Sequence, residues 1–260
     1  MIGALSTAAT GLEAQQQNIE RIANDIANVN TDGYKRSTVD FSDLYYKTIR
    51  EPGAQLGATA QSPTGIQIGT GVKVGSVHKI FEPGPPKMTY APLDIMIQGK
   101  GFFVVQSPNG EIAFSKNGAF RKDSQGRLHL ADNSTLSPQI TIPTNATDIR
   151  ISPQGEVIAV LPGEGEAQLG QIQLATFANE AGLKSLGSGL FKASSGSGAP
   201  IQTVPGENGT GELLQGALEA SNVNVATSMI DMITAQRGYE MQTKVMAAAD
   251  DVLKATVNIR

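Results

Sequence analysis

Apolar residues recur every seven positions at both ends of this chain, and these two runs limit its possible folds more than anything else in the sequence. In the first run Leu5, Leu12, Ile19 and Ile26 keep the spacing, with Ile2, Ala9, Gln16 and Ala23 at the partner positions. In the last run Val225, Met232, Tyr239, Met246 and Leu253 repeat it, with small Ala235 and Ala249 between them. A sustained heptad needs another helix across its seam. Helices over residues 2–29 and 222–257 would be roughly 40 Å and 50 Å long. A compact chain of this length has a radius of gyration of only about 18 Å. Ordinary core packing also puts aliphatic residues at helical spacing, but it leaves that length unexplained. The runs therefore predict two arms that project from a body and pair with each other or with neighbouring subunits.

The composition fits a body made of short strands. Among 260 residues there are 29 Gly and 13 Pro, aromatics make up only 5%, and Trp is absent; such a mixture is rich in turns. The formal net charge is −4, so no strong field invites nucleic acid. No apolar run is long enough to span a membrane. The first residues lack the basic and apolar regions of a secretory signal. Without cysteine, neither disulfides nor thiolate chemistry are available.

The first helix is expected to stop in Asn28-Val29-Asn30-Thr31-Asp32-Gly33, where Asn and Gly can take the left-handed conformation that ends helices. A short amphipathic stretch follows, with Phe41, Leu44, Tyr45 and Ile49. Residues 51–75 are rich in Gly, Pro, Gln, Ser and Thr and have no helical period. They read as an extended excursion, a long hairpin carrying Pro52, Gly53, Pro63, Ile66, Ile68 and Val72. Pro83-Gly84-Pro85-Pro86 reads as a rigid spacer. From Leu93 to Val204 the pattern is β. Asp94-Ile95-Met96-Ile97 and Gly101-Phe102-Phe103-Val104-Val105 read as buried strands. Turns are expected at Pro108-Asn109-Gly110, Asn117-Gly118, Ser124-Gln125-Gly126 and Pro153-Gln154-Gly155. Regular turns between short strands predict a sandwich or barrel-like body. Residues 187–211, rich in Gly and Ser, read as the return to the last helix. The expected fold class is α+β and discontinuous. Residues 1–36 and 222–260 form a terminal-helix coiled coil, 37–80 the linker and hairpin, and 81–221 the central all-β domain.

No catalytic constellation emerges. His78 and His129 sit in separate contexts with no ligand at metal spacing. Gly99-Lys100-Gly101 looks like a fragment of a phosphate loop but lacks the Ser or Thr after the Lys and the upstream Gly; a tight bend before Phe102 is the better reading. No nucleophile elbow occurs. These residues point to a non-enzyme with no cofactor and no metal.

Two motifs at the ends are specific. Thr10-Gly11-Leu12-Glu13-Ala14-Gln15-Gln16 followed by Ile22-Ala23-Asn24-Asp25-Ile26-Ala27-Asn28-Val29-Asn30-Thr31-Asp32-Gly33-Tyr34-Lys35-Arg36 resembles the N-terminal signature of bacterial flagellar rod and hook axial proteins. Glu219-Ala220-Ser221-Asn222-Val223-Asn224-Val225 and Met229-Ile230-Asp231-Met232-Ile233-Thr234-Ala235-Gln236-Arg237-Gly238-Tyr239-Glu240 resemble the family's C-terminal motif, with Gly238 where the family usually has Ala. Gln98-Gly99-Lys100-Gly101-Phe102-Phe103 matches the opening of the family's β domain. Thr48-Ile49-Arg50-Glu51-Pro52-Gly53-Ala54-Gln55 with Gly65-Ile66-Gln67-Ile68-Gly69-Thr70-Gly71-Val72 is similar to a segment marking the distal-rod members. The resemblance covers the whole chain.

This resemblance implies a structural subunit of the distal rod, the drive shaft of the bacterial flagellum, polymerised into a straight hollow tube that carries torque from motor to hook. Its seam, Leu5, Leu12, Ile19 and Ile26 against Val225, Met232, Tyr239, Met246 and Leu253, would line the filament interior, with the β domain in the outer wall. The implied partners are further copies of the chain, proximal rod and hook-side axial proteins, the surrounding ring proteins that act as a bushing, and the flagellar type III export apparatus. The implied location is the basal-body rod crossing the periplasm, reached without a cleaved signal peptide. A proximal rod or hook paralogue is the nearest alternative. A cell-wall-acting or carbohydrate-binding β protein is more distant and leaves both arms unexplained.

Overall fold

The computed structural model describes residues 2–53, 64–162 and 165–258. It is helical at both ends and β-rich between. Helix α1 covers Ile2–Ala27 and helix α2 covers Val225–Asn258. The chain divides into two compact units. The first holds residues 1–26, 37–78 and 225–260, and the second holds 27–36 and 79–224.

In the first unit, four strands accompany the two helices: β1 (Ser37–Asp43), β2 (Tyr46–Arg50), β3 (Ile66–Gly69) and β4 (Val72–Lys79). The amphipathic stretch around Phe41 and Ile49 is thus extended, consistent with its β-branched and aromatic content. β1 pairs with β4, and β2 pairs antiparallel with β3 in the register Lys47↔Ile68. Within the expected hairpin, β2 and β3 are thus paired strands; Pro63 lies outside the described residues. Arg21 and Asp25 help tie α1 to this unit. Arg21 Nη1 donates to Asp25 Oδ2 at 3.0 Å and to the Ser37 carbonyl at 2.8 Å, while Ser37 N donates to Asp25 Oδ1 at 3.1 Å. At Gly71, whose φ is 132°, a Cβ would strike Thr10 Oγ1, so only glycine lets the start of β4 approach the helix.

The second unit centres on β7 (Phe102–Gln106), preceded by β5 (Pro86–Met88) and β6 (Ile95–Gln98) and followed by β8 (Ile112–Ser115). β7 and β8 are antiparallel in the register Phe103↔Ser115 and Val105↔Ala113. Side chains alternate across a strand, and here both faces are buried. Phe103 and Val105 join one core with Ile95, Ile97, Leu136, Ile172 and Leu213. Phe102 and Val104 join a second, aromatic core with Phe114, Phe177 and Phe191. A strand buried on both faces reads as an unbroken apolar run, and so residues 101–105 were legible as they stood. Three of the expected turns close with a glycine in the left-handed region, at Gly110, Gly126 and Gly155 (φ 82°, 82° and 85°). Gly118 serves differently: a Cβ there would fall on the Ile95 carbonyl, and Gly118 O accepts the Ile95 N–H at 3.0 Å.

Two sequence expectations need correction. Residues 187–211 are more than a return loop. Leu190–Lys192 forms a strand on β8, with Leu190 and Phe191 buried, and Ile201–Thr203 pairs with Leu174–Thr176. Each strand is only three residues long, too short to announce a period. The Pro83–Pro86 segment is no spacer either. Gly84 is buried, and Pro86 opens β5, which pairs with Ala217–Glu219.

Candidate assembly surfaces

On α2 the half-buried residues Met232, Tyr239, Met246 and Leu253, together with Gln242, Ala249 and the buried Ala235, form one stripe at heptad spacing. Val225 is exposed. On α1 Leu5, Leu12, Ile19 and Ile26 are half-buried, and the fully buried positions are Ala8, Gly11, Ala14, Ile22 and Asp25 beside them. The two helices meet at Gly11 and Gln242 and again at Gly238 and Gln15. Small residues sit deepest because they let helices approach closely. α2 carries a further apolar stripe. Ile230, Met241, Val245 and Val252 are all exposed, and at 100° per residue they lie on the side opposite Met232 and Tyr239. One apolar face of α2 is therefore exposed among the described residues.

The hairpin is the second surface. All four residues of β3 and the first four of β2 are exposed. Among them Ile49 is 60% and Ile68 51% accessible, and the adjoining Tyr45 is 94% accessible. Ile66 is also exposed, as are Pro52 and Gly53 beyond β2, while Val72 is half-buried. An isolated two-stranded ribbon is marginal in water, and exposed apolar side chains on one ask for further cover.

A third feature was not anticipated. The terminal motifs converge inside the second unit. Glu219 Oε1 accepts Lys35 Nζ at 2.5 Å and Gly84 N at 2.9 Å, and Lys35 Nζ also donates to the Glu82 carbonyl at 2.6 Å. The Glu219 carbonyl takes the Gly33 N–H at 2.7 Å. Asn222 Oδ1 accepts Arg36 N at 2.7 Å, and its amide donates to the Ile80 and Glu82 carbonyls. The ion pair has 0% and 1% side-chain exposure. A second buried lysine, Lys116, stands 4.0 Å from Glu219 Oε2, donates to the Gly99 carbonyl at 2.9 Å and lies over the Phe102 ring. Burial pulls its pKa from 10.5 down to about 8, with the attraction of Glu219 acting in the other direction. Three strands of chain, 33–36, 80–84 and 219–222, are thus clamped around one carboxylate. Both motifs are visible in the sequence, but nothing in it indicates that their Lys and Glu meet.

The two histidines are held apart. His78 Nδ1 faces Asp40 at 3.4 Å, and His129 Nδ1 contacts the Leu130 carbonyl at 2.9 Å. Gly99 and Gly101 make a bend with φ of 132° and 122°, and the Lys100 carbonyl accepts Gly211 N. Among the described residues no group of three or more His, Cys, Asp or Glu is placed to hold a metal ion.

The sequence family described as "Flagella basal body rod protein" matches residues 5–35, "Flagellar hook protein FlgE/F/G D1 domain" matches 96–159, and "Flagellar basal body rod FlgEFG protein C-terminal" matches 214–259. The flagellar basal-body rod protein FlgG of Caulobacter vibrioides is 48% identical over 99% of both chains. The chain belongs to the FlgG family of flagellar basal-body rod proteins. FlgG of Agrobacterium fabrum is 45% identical over 96% of both chains, and FlgG of Bacillus subtilis 36% identical over 100% of both. The family is a structural one, and the chain is a structural subunit of the flagellar distal rod, where it assembles with other flagellar components. The outer two matches carry the motifs that converge on Glu219.

Proposed function

We propose that the subunit polymerises into a straight hollow tube that passes torque from motor to hook across the periplasm. α1 and α2 pair as a coiled coil around the lumen, and Leu5, Leu12, Ile19 and Ile26 flank the seam that Met232, Tyr239, Met246 and Leu253 enter from α2. The remaining stripe of α2, at Ile230, Met241, Val245 and Val252, packs against a neighbouring copy. A helical filament is made of such heterologous, non-closing contacts. Pro52, Gly53, Pro63, Ile66, Ile68 and Val72 belong to a hairpin that wedges between neighbours and keeps the tube from bending. The axial neighbours are proximal rod proteins below and hook-side proteins above, with ring proteins as the bushing. The chain reaches its place through the flagellar type III export apparatus without losing a signal peptide.

The observation that carries this reading is the exposed apolar surface of the β2–β3 ribbon at Ile49, Ile66 and Ile68. Replacing Ile49, Ile66 and Ile68 together by Ser tests it in cells that depend on this chain. Export and polymerisation should persist, and electron microscopy should find curved or fragile rods. Straight rods of normal yield would show that stiffness has another source.

A further inference from the structure

Each terminal helix carries a Gly-x-Glu-x-Gln pattern whose Gly and Gln meet the other helix. It reads Gly11-Leu12-Glu13-Ala14-Gln15 in α1 and Gly238-Tyr239-Glu240-Met241-Gln242 in α2. The structure sets these patterns against each other head to tail. A Cβ on Gly11 would lie 3.0 Å from Gln242 Nε2, and one on Gly238 would lie 3.4 Å from Gln15 Cδ. Moving four residues forward along α1 is matched by four residues backward along α2, so the helices run antiparallel through this stretch. Glycine in each helix is the hole, and glutamine from the other is the knob. Gln15 Oε1 is buried there with no hydrogen-bond partner among the described residues.

We infer that these two reciprocal Gly–Gln pairs fix the register and antiparallel sense of the α1–α2 seam, an inference that rests on the coiled-coil reading proposed above. The seam needs such a device. Its flanking Leu, Ile and Met residues repeat every seven positions, and a slip of one heptad would still match apolar to apolar. A heptad slip sets Gln242 against Asn18 or Ala4 instead of Gly11, and neither of those positions offers a hole. Placing a long amide against a glycine penalises the registers that set it against a larger side chain. A polar side chain at a single seam position specifies coiled-coil pairing in the same way, at a cost in stability. The unpaired oxygen of Gln15 is that cost. Glycine within each helix costs roughly 1 kcal/mol of propensity relative to alanine, and the pairing explains why two are placed at these positions.

The absence of cysteine makes an unambiguous test possible. Continuing the register three residues past Gln15 sets Asn18 opposite Ala235. In the full-length chain, assembled in cells that depend on it, Asn18→Cys with Ala235→Cys should form an intrachain disulfide on oxidation. The heptad-shifted pair Asn18→Cys with Gln242→Cys should give about tenfold less. Gly11→Gln puts two amides in one hole and should stop swimming. Adding Gln242→Gly reverses that knob and hole and should restore motility. A stronger crosslink for the shifted pair overturns the inference, as does a motile Gly11→Gln strain, or a double variant that swims no better than Gly11→Gln alone. Absence of intrachain crosslinks at both registers overturns the coiled-coil reading itself, and the register device with it.

Discussion

Glu219 is the residue whose loss the structure makes most measurable. Its carboxylate is buried against Lys35 at 2.5 Å and faces Lys116 at 4.0 Å, and both lysines are buried as well. Glu219→Gln keeps the volume and still accepts the Gly84 N–H, so the loss comes from the charge. Lys35 would then lose its paired carboxylate and Lys116 its nearest one, in a low-dielectric interior. Removing one partner of a buried pair costs roughly 3–5 kcal/mol. In a domain of this size each kcal/mol shifts the melting temperature by roughly 2–4 °C, so a fall of roughly 6–20 °C is expected. Differential scanning calorimetry of the full-length chain reads it directly. The triple variant Glu219→Gln, Lys35→Met, Lys116→Met should recover most of the loss, because an apolar replacement of a buried ionic group is often neutral. A Glu219→Gln melting point within about 2 °C of the parent would refute the claim that this carboxylate clamps the three chain segments.

Further outcomes follow from the same geometry. Lys116 is charged in both folded and unfolded chains below about pH 8, and its folded pKa of about 8 lies below the unfolded 10.5. Between these values the unfolded chain binds more protons, so this group's contribution to stability rises with pH; Lys116→Met should flatten that rise in melts taken from pH 7 to 10. Limited proteolysis within residues 37–78 should leave a body that retains the N-terminal fragment containing residues 27–36 non-covalently, held by Lys35 and Gly33, and mass spectrometry of the gel-filtered product would detect its loss. Deleting Leu56–Pro63 should spare polymerisation and give curved filaments in negative stain, since polymerisation is assigned to the terminal helices.

What the sequence disclosed depended on whether a residue's role was local. The heptads of α2 were legible because a period survives translation into structure, and Met232, Tyr239, Met246 and Leu253 share a stripe as spaced. On α1 the period was legible but its deepest phase was not. Hydrophobicity draws the eye to Leu12 and Ile19, whereas close approach of two helices buries Gly11 and Ala14. The central strand at Phe102 announced itself as an apolar run, and the left-handed turns announced themselves as Gly110, Gly126 and Gly155. The Lys35–Glu219 pair could not be seen, because its partners lie 184 positions apart and each taken alone reads as a solvated charge. Leu190 and Phe191 were hidden for a different reason: two apolar residues among glycines and serines carry no period, and only the edge of β8 makes them a strand.

The central claim is that this chain builds a straight tube whose lumen is lined by paired terminal helices. Electron cryomicroscopy of rods isolated from cells that depend on this chain tests it most directly. The account predicts a straight tube in which α1 and α2 of each subunit run side by side around the lumen, with Gly11 facing Gln242. A map that places either helix away from the lumen, or pairs α1 with α2 in a different register, would contradict it.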